Sequence, residues 1–209
     1  MRITKSRKTS VKNASKITNI VVSGVGGQGV LTLAVAIAES ALRQGYDVMT
    51  AEVHGLAMRF GHLEVHIRFG KKVLSPLVPD GEADLIIGLE PIETLRAVRY
   101  MDKNTAVVFD TSPLVPNKMH IHKEKYPDTK NIITTLRKIS KSVLPIPASD
   151  VTTKMVGSDR YANIYVLGCL VKLGLINISQ RRIMEVLNLL PSPDINRQVF
   201  SAGLKGISR

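Results

Sequence analysis

The run NIVVSGVGGQGVLTLAVAIAESALRQGYDVMTAEV, residues 19–53, decides how the rest of the chain is read. An apolar stretch, Asn19–Ser23, meets a cluster of glycines at Gly24, Gly26, Gly27 and Gly29. From Gln28 to Gln44 the sequence is rich in Ala and Leu and free of proline, with Gly45 as a stop signal, which predicts a helix. YDVMTAEV then reads as a second strand. Strand, glycine turn, helix, strand is a βαβ unit, expected to be parallel and right-handed.

Outward from this unit, LEVHIRFG alternates strictly. Leu63, Val65, Ile67 and Phe69 point one way and Glu64, His66 and Arg68 the other. The pattern predicts a strand with one wet face, at a sheet edge or facing a partner. ADLIIGLE and TAVVFD are apolar enough for buried strands, separated by the helical PIETLRAVRYM with proline in its first turn. Residues 111–150 hold a short helix, NIITTLRKI, and a strand interrupted by prolines, SVLPIPA. The C-terminal third is helical: YANIYVLGCLVKLGLI is apolar nearly all round, hence buried. Ile183, Val186, Leu187 and Leu190 form one face of the next helix, with Ser179 as its N-cap, and a last helix runs from Ser192 or Pro193 to about Leu204. The expected fold class is α/β: a Rossmann-like layered fold with a mostly parallel sheet, the Gly-rich loop after the first strand.

The chain has 209 residues, is 44% apolar and carries a formal net charge of +12. Residues 1–17 hold six basic and no acidic residues, and residues 118–141 a net +5, so the remainder is near neutral. The expected organisation is a basic, disordered tail over residues 1–17 and a single α/β domain over 18–209. No apolar run approaches membrane-spanning length and no secretory signal core is present, so a cytoplasmic protein is expected.

Gly24, Gly26 and Gly29 fit G-x-G-x-x-G between a strand and a helix. Such a loop brings backbone N–H groups and a helix N-terminus against a diphosphate. The alternative is a tight turn that only packs helix on strand. No Gly-Lys-Ser/Thr follows, which argues against a Walker-type nucleotide loop. Gln28, read as the first turn of the helix, carries both a donor and an acceptor, and is expected to touch a ligand or a neighbouring subunit. Glu52 either contacts the ligand, as an acid at the end of the second strand would contact a ribose, or pairs with Arg59 or Arg68. Arg59 either grips a carboxylate bidentately or braces its loop. Asn163 reaches a backbone carbonyl or the glycine loop, or satisfies an interface. Cys169, the one cysteine, reads as a core thiol. His54 and His66 lack the companions of a metal site, so hydrogen-bonded roles are expected; His120 and His122 read as solvated.

With GVGGQGV followed by AEVHGLAMRFGHLEVHIRFG, the chain resembles the gamma-type domain of the 2-oxoacid:ferredoxin oxidoreductases, on their indolepyruvate branch. The matching segments are Gly24–Gly29, Glu52–Gly55, Arg59–Gly61 and Leu63–Gly70, with GSDRYANIYVLGCL at 157–170; Phe60 stands where the family has a glycine. The resemblance covers about residues 18–190. It implies one subunit of an enzyme that converts an aryl-pyruvate, coenzyme A and oxidised ferredoxin into an aryl-acetyl-CoA, carbon dioxide and reduced ferredoxin. It implies that thiamine diphosphate and iron–sulfur clusters sit on a larger catalytic alpha subunit, since one cysteine cannot hold a cluster and no Gly-Asp-Gly start of a thiamine diphosphate motif is found. This chain would bind no cofactor alone, have no catalytic residue and no activity alone, meet ferredoxin only through the complex, and face coenzyme A with its glycine loop. Two other readings remain open: a free-standing nicotinamide-dependent dehydrogenase, and a basic binder of nucleic acid or an anionic surface. The second is disfavoured by an aromatic content of 4%.

Overall fold

The computed structural model describes residues 17–54, 61–115 and 125–206. Six strands form one sheet: β1 (Thr18–Val25), β2 (Asp47–His54), β3 (His62–Gly70), β4 (Leu85–Gly88), β5 (Ala106–Asp110) and β6 (Ser142–Ile146), in the spatial order β2-β3-β1-β4-β5-β6. β1, β4, β5 and β6 pair in parallel, while β3 pairs antiparallel with both β1 and β2. β3 alone is reversed, so the sheet is mostly parallel, as expected.

The βαβ reading needs one amendment. β1 and β2 run the same way, but β3 lies between them. Only seven residues separate His54 from His62. A parallel neighbour needs a crossover of about a dozen residues or more, so the chain turns back and β3 runs antiparallel. β2 is therefore the edge strand and β3 an interior one, against the expectation for LEVHIRFG. Its supposed wet face is covered: Glu64 is 2% exposed and His66 1%.

Helices cover both faces. α1 (Val30–Arg43), α4 (Ala148–Val156), α5 (Ala162–Leu173), α6 (Gln180–Leu187) and α7 (Pro193–Lys205) share a core with Ile20, Val22, Val65, Ile67, Leu85, Ile87 and Val108. α2 (Pro91–Arg96) with its 3-10 extension Ala97–Tyr100, and α3 (Thr129–Ile139), cover the other face, over Val21, Ile86, Val107, Phe109 and Val143. The alternation of Ile20, Val21 and Val22 between these cores is the period of two that a strand covered on both faces requires. α5 is buried over nine of its twelve residues, as its all-round apolarity predicts. It lies against α7 at a crossing of two glycines: a Cβ on Gly168 would sit 2.4 Å from the Phe200 carbonyl oxygen, and one on Gly203 2.3 Å from that of Tyr165. Pro145 is tolerated in β6 because β6 is an edge strand.

Among the described residues no helix is long and apolar enough to cross a membrane.

Candidate functional site

α1 follows β1 onto one face of the sheet and α2 follows β4 onto the other, while β1 and β4 are neighbours. Their carboxyl ends thus flank a topological switch point, where open α/β sheets form a crevice. The glycine loop is at this crevice.

The loop is a sequence of constraints. Gln28 N–H donates to the Val25 carbonyl at 3.1 Å, closing a four-residue turn with Gly27 in third position at φ 106°. A positive φ there is what makes glycine the residue of choice. Gly26 N–H donates to the Gly61 carbonyl at 3.0 Å and ties the turn to the start of β3. Gly29 caps α1 in the left-handed conformation, φ 78°. Its carbonyl accepts from Leu33 N–H at 2.9 Å and from Asn163 Nδ2 at 3.1 Å. Asn163 is buried at the start of α5, so the expectation that it reaches the glycine loop holds.

Gln28 precedes α1 instead of belonging to it, because Gly29 in the left-handed region cannot continue a helix. The side chain has a structural use in this turn. Its Oε1 accepts from Val25 N–H at 2.8 Å and its Nε2 donates to the Leu89 carbonyl at 2.9 Å. The side chain clasps the loop to the end of β4. One amide N–H and one lone pair remain for anything else. The N–H groups of Gly27, Gly29, Val30, Leu31 and Thr32 make no hydrogen bond to another described residue. They form a set of donors at a helix start, the chemistry that suits a phosphate oxygen.

The opposite wall of the crevice is acidic and internally satisfied. Glu90, 1% exposed, caps α2, accepting from Glu93 N–H at 2.9 Å, from Leu114 N–H at 3.3 Å, and from the Tyr126 hydroxyl. Burial pushes its carboxyl above the ordinary range, and these hydrogen bonds only partly oppose it. Glu93 bonds His62, and its carbonyl accepts from Ser23 Oγ at 2.7 Å. Asp110, at the end of β5, accepts from the N–H and hydroxyl of Ser149 and from Ser112 N–H; burial raises its pKa as well.

Beneath this wall lies a polar network that sequence reasoning missed. Glu64 Oε1 accepts from His66 Nε2 at 2.9 Å and from the Tyr100 hydroxyl at 2.7 Å, with the Arg99 guanidinium 3.5 Å away. His66 Nδ1 accepts from Val78 N–H at 2.8 Å, so the ring proton sits on Nε2 and donates to Glu64. Burial alone would raise the Glu64 pKa; the bonds from His66 and Tyr100 and the charge of Arg99 outweigh it and hold Glu64 below the ordinary range. Tyr100 is pushed up to about 12 by burial and by the Glu64 carboxylate. Polar alternation on β3 looks the same whether the polar face meets water or a buried partner, and Tyr100 lies far along the chain.

The other named residues are dispersed. Glu52 pairs with Val65 on β3, which pairs with Val22 on β1. It is therefore two strand spacings from β1, about 10 Å, not one. This contradicts the ribose-contact geometry behind the nicotinamide reading, in which the acid stands on the strand beside β1. Glu52 does not pair with Arg68, whose guanidinium is held on Asn19 Oδ1 and the carbonyls of Ser75 and Leu77. Arg59, Phe60, His120 and His122, and the basic residues 1–16, lie outside the described residues, as does His54's immediate loop. Cys169 is fully buried, and burial pushes its thiol up to about 12, so the core reading holds. No group of three or more His, Cys, Asp or Glu that could hold a metal occurs among the described residues.

Residues 19–206 match the model of the pyruvate ferredoxin/flavodoxin oxidoreductase family. The chain is 46% identical over 152 residues to the indolepyruvate oxidoreductase subunit IorB of Archaeoglobus fulgidus, covering 73% of this chain and 75% of that protein. Among solved structures, it is similar to the gamma subunit of a keto/oxoacid ferredoxin oxidoreductase from Geobacter sulfurreducens, with a TM-score of 0.63 at 18% identity over 90% of this chain and 96% of that one. It is also similar to the 2-oxoglutarate:ferredoxin oxidoreductase of Magnetococcus marinus, solved with 2-oxoglutarate, coenzyme A and succinyl-CoA bound; the TM-score is 0.69 at 23% identity, covering 93% of this chain and 32% of that one. These two likenesses confirm the layered α/β fold.

Proposed function

The chain belongs to the pyruvate ferredoxin/flavodoxin oxidoreductase family, and from that premise we propose that it is a subunit of an indolepyruvate-type enzyme. The complex converts an aryl-pyruvate, coenzyme A and two oxidised ferredoxins into an aryl-acetyl-CoA, carbon dioxide and two reduced ferredoxins. Bond cleavage and electron transfer take place on a larger catalytic subunit. When bound there, thiamine diphosphate supplies the carbanion chemistry and iron–sulfur clusters the electron path. This chain's residues do not fit a cluster. Its one cysteine is buried, held as the neutral thiol, and alone, whereas a cluster normally takes four thiolates.

The chain's own contribution is to dock on the catalytic subunit and present the loop Gly24–Gly29 to coenzyme A. The observation that carries this is the set of N–H groups of Gly27, Gly29, Val30, Leu31 and Thr32 at the β1/β4 switch point, none of which bonds another described residue. They offer donors to a diphosphate without a lysine, while Gln28 and Asn163 fix the backbone that carries them. Arg59 would add a cation to the same contact, whereas Glu52, two strands away from β1, stands apart from it.

The test is a coenzyme A titration of the reconstituted complex carrying Gly27→Ala. A Cβ at Gly27 meets nothing within 4 Å, so the substitution acts through the backbone alone. Its φ of 106° strains an alanine and should displace the neighbouring N–H groups. The expected result is a KM for coenzyme A raised about tenfold, equal to about 1.4 kcal/mol, with the KM for the oxoacid unchanged. An unchanged KM for coenzyme A would remove the loop from that site.

A further inference from the structure

β2 is one edge of the sheet, and α1 packs over β3 with β1 and β2 on either side. On its β1 flank α1 meets α5 and α6. On its β2 flank lies an open groove. One wall is α1, through Leu31, Val35, Ala38 and Leu42; the floor is β2, through Val48 and Thr50.

Three features of this groove point to a helix as its occupant. The first is spacing. Leu31, Val35, Ala38 and Leu42 are separated by four, three and four residues, the seam along which one helix packs against another. Leu31, Val35 and Leu42 are 40%, 55% and 56% exposed, an apolar stripe left open on a helix whose other face is fully buried. The second is layer geometry. Packed helices lie about 8–10 Å apart and strands about 4.8 Å apart. The next seat in the α1 layer is therefore over β2 and just beyond its edge, where this chain supplies no element among the described residues. The third is charge. In a chain of net charge +12, the charged residues lining this groove are Glu39 and Glu52. Glu39 is paired with Arg43 at 2.9 Å. The exposed Glu52 carboxylate makes no hydrogen bond or ion pair with another described residue.

A second copy of this chain fits less well. Joining two sheets through their β2 edges would hold the two α1 axes about three strand spacings, or roughly 14 Å, apart and leave the seam unfilled. Packing α1 on α1 would bring Glu39 and Glu52 of both copies to one seam with no new cation.

We propose that this groove seats an amphipathic helix of the catalytic partner subunit, with apolar residues at three- and four-residue spacing and Lys or Arg beside them to meet Glu52 and Glu39. The inference rests on the docking role proposed above and names the face that performs it. It also gives α1 two linked roles: the N-terminus faces the coenzyme A crevice while the exposed stripe along its length fixes the helix, and so the loop, against the partner.

The experiment uses the full chain and the intact catalytic subunit, with their dissociation constant measured by calorimetry. Val35→Glu and Leu42→Gln are made separately; both side chains are more than half exposed, so the fold is expected to tolerate them, and the melting temperature of each is recorded. Leu189→Glu, 69% exposed at the end of α6, is the control. Glu52→Lys tests charge. A photo-crosslinking residue at position 35 identifies the captured segment. The expected result is binding weakened at least tenfold by Val35→Glu, and also weakened by Leu42→Gln and Glu52→Lys, with the control unchanged. The captured peptide should have the stated helical spacing and basic flank. If the wild-type chain binds the partner and the groove variants bind equally well, the groove proposal is overturned while the docking role stands. If the wild-type chain does not bind the partner, both fail. If the variants change only self-association of this chain, the groove seats a second copy and the proposal is wrong.

Discussion

Replacing Gly29 by alanine should be the most damaging single-atom change in the glycine loop. Gly29 sits at φ 78°, where an L-residue with a Cβ costs about 1–2 kcal/mol. The added Cβ would also stand 2.4 Å from Asn163 Nδ2 and 3.0 Å from Asn163 Cγ. Asn163 is 3% exposed, so its amide must move within a packed region and give up its bond to the Gly29 carbonyl. A buried polar group left without its partner costs about 1–3 kcal/mol. The two effects together predict a loss of about 2–5 kcal/mol. Gly27→Ala at φ 106° carries only the backbone effect, because a Cβ there has open space, so its loss should be smaller by the Asn163 contribution. Chemical denaturation of both variants, read by circular dichroism, gives the two values. The double variant Gly29→Ala/Asn163→Ala separates the terms: it should be clearly less destabilised than the sum of the single changes, since each removes the other's conflict. Equal losses for Gly27→Ala and Gly29→Ala, or strict additivity in the double variant, would refute the claim that α5 holds this loop through Asn163.

Gln28→Ala removes the bonds to Val25 N–H and the Leu89 carbonyl and should cost about 1–3 kcal/mol in the same assay; a loss under 0.5 kcal/mol, on the order of a surface substitution, would mean the clasp is not structural. Glu64 has a depressed pKa, so its stabilising contribution is present above the ordinary carboxylate range and is lost as pH falls through its folded-state value. Glu64→Gln should therefore be less stable at neutral pH and lose stability less steeply on acidification, which denaturation midpoints from pH 7 to 3 will show. Cys169 behaves oppositely: its thiol is raised from 9.0 to about 12, so the native state keeps a proton that the unfolded state gives up. Stability should fall as pH rises through that window, less so in Cys169→Ala, and the native protein should resist thiol reagents at pH 8 until it is unfolded.

Much of the fold is legible in the sequence because its signals are local. The strand–glycine–helix–strand order of residues 19–53, the apolar α5 and the Ile183 face of α6 all follow from composition and period within one element. What was not legible depends on the order of the strands in space. Glu52 looks correctly spaced from Gly29 for a ribose contact, but β3 lies between β2 and β1 and moves Glu52 one strand outward. The same insertion buries Glu64 and His66, whose alternation is that of a solvent face. Composition extends α1 to Gln28, whereas Gly29 in the left-handed conformation delays the helix to Val30, and the glutamine side chain clasps the turn through partners on β1 and after β4. At the site, the role of the glycines was visible from their spacing, whereas their fixation by Leu89, Gly61 and Asn163 involves partners distant in the chain.

The central claim is that this chain completes an enzyme whose chemistry lies on another subunit. The most direct test is coenzyme A-dependent reduction of ferredoxin by indolepyruvate, measured with the purified chain alone, with the catalytic subunit alone, and with both. The account predicts no turnover by this chain alone and full turnover only when the two are combined in about equal amounts. Ferredoxin reduction by the isolated chain, or full turnover by the catalytic subunit without it, would contradict the account.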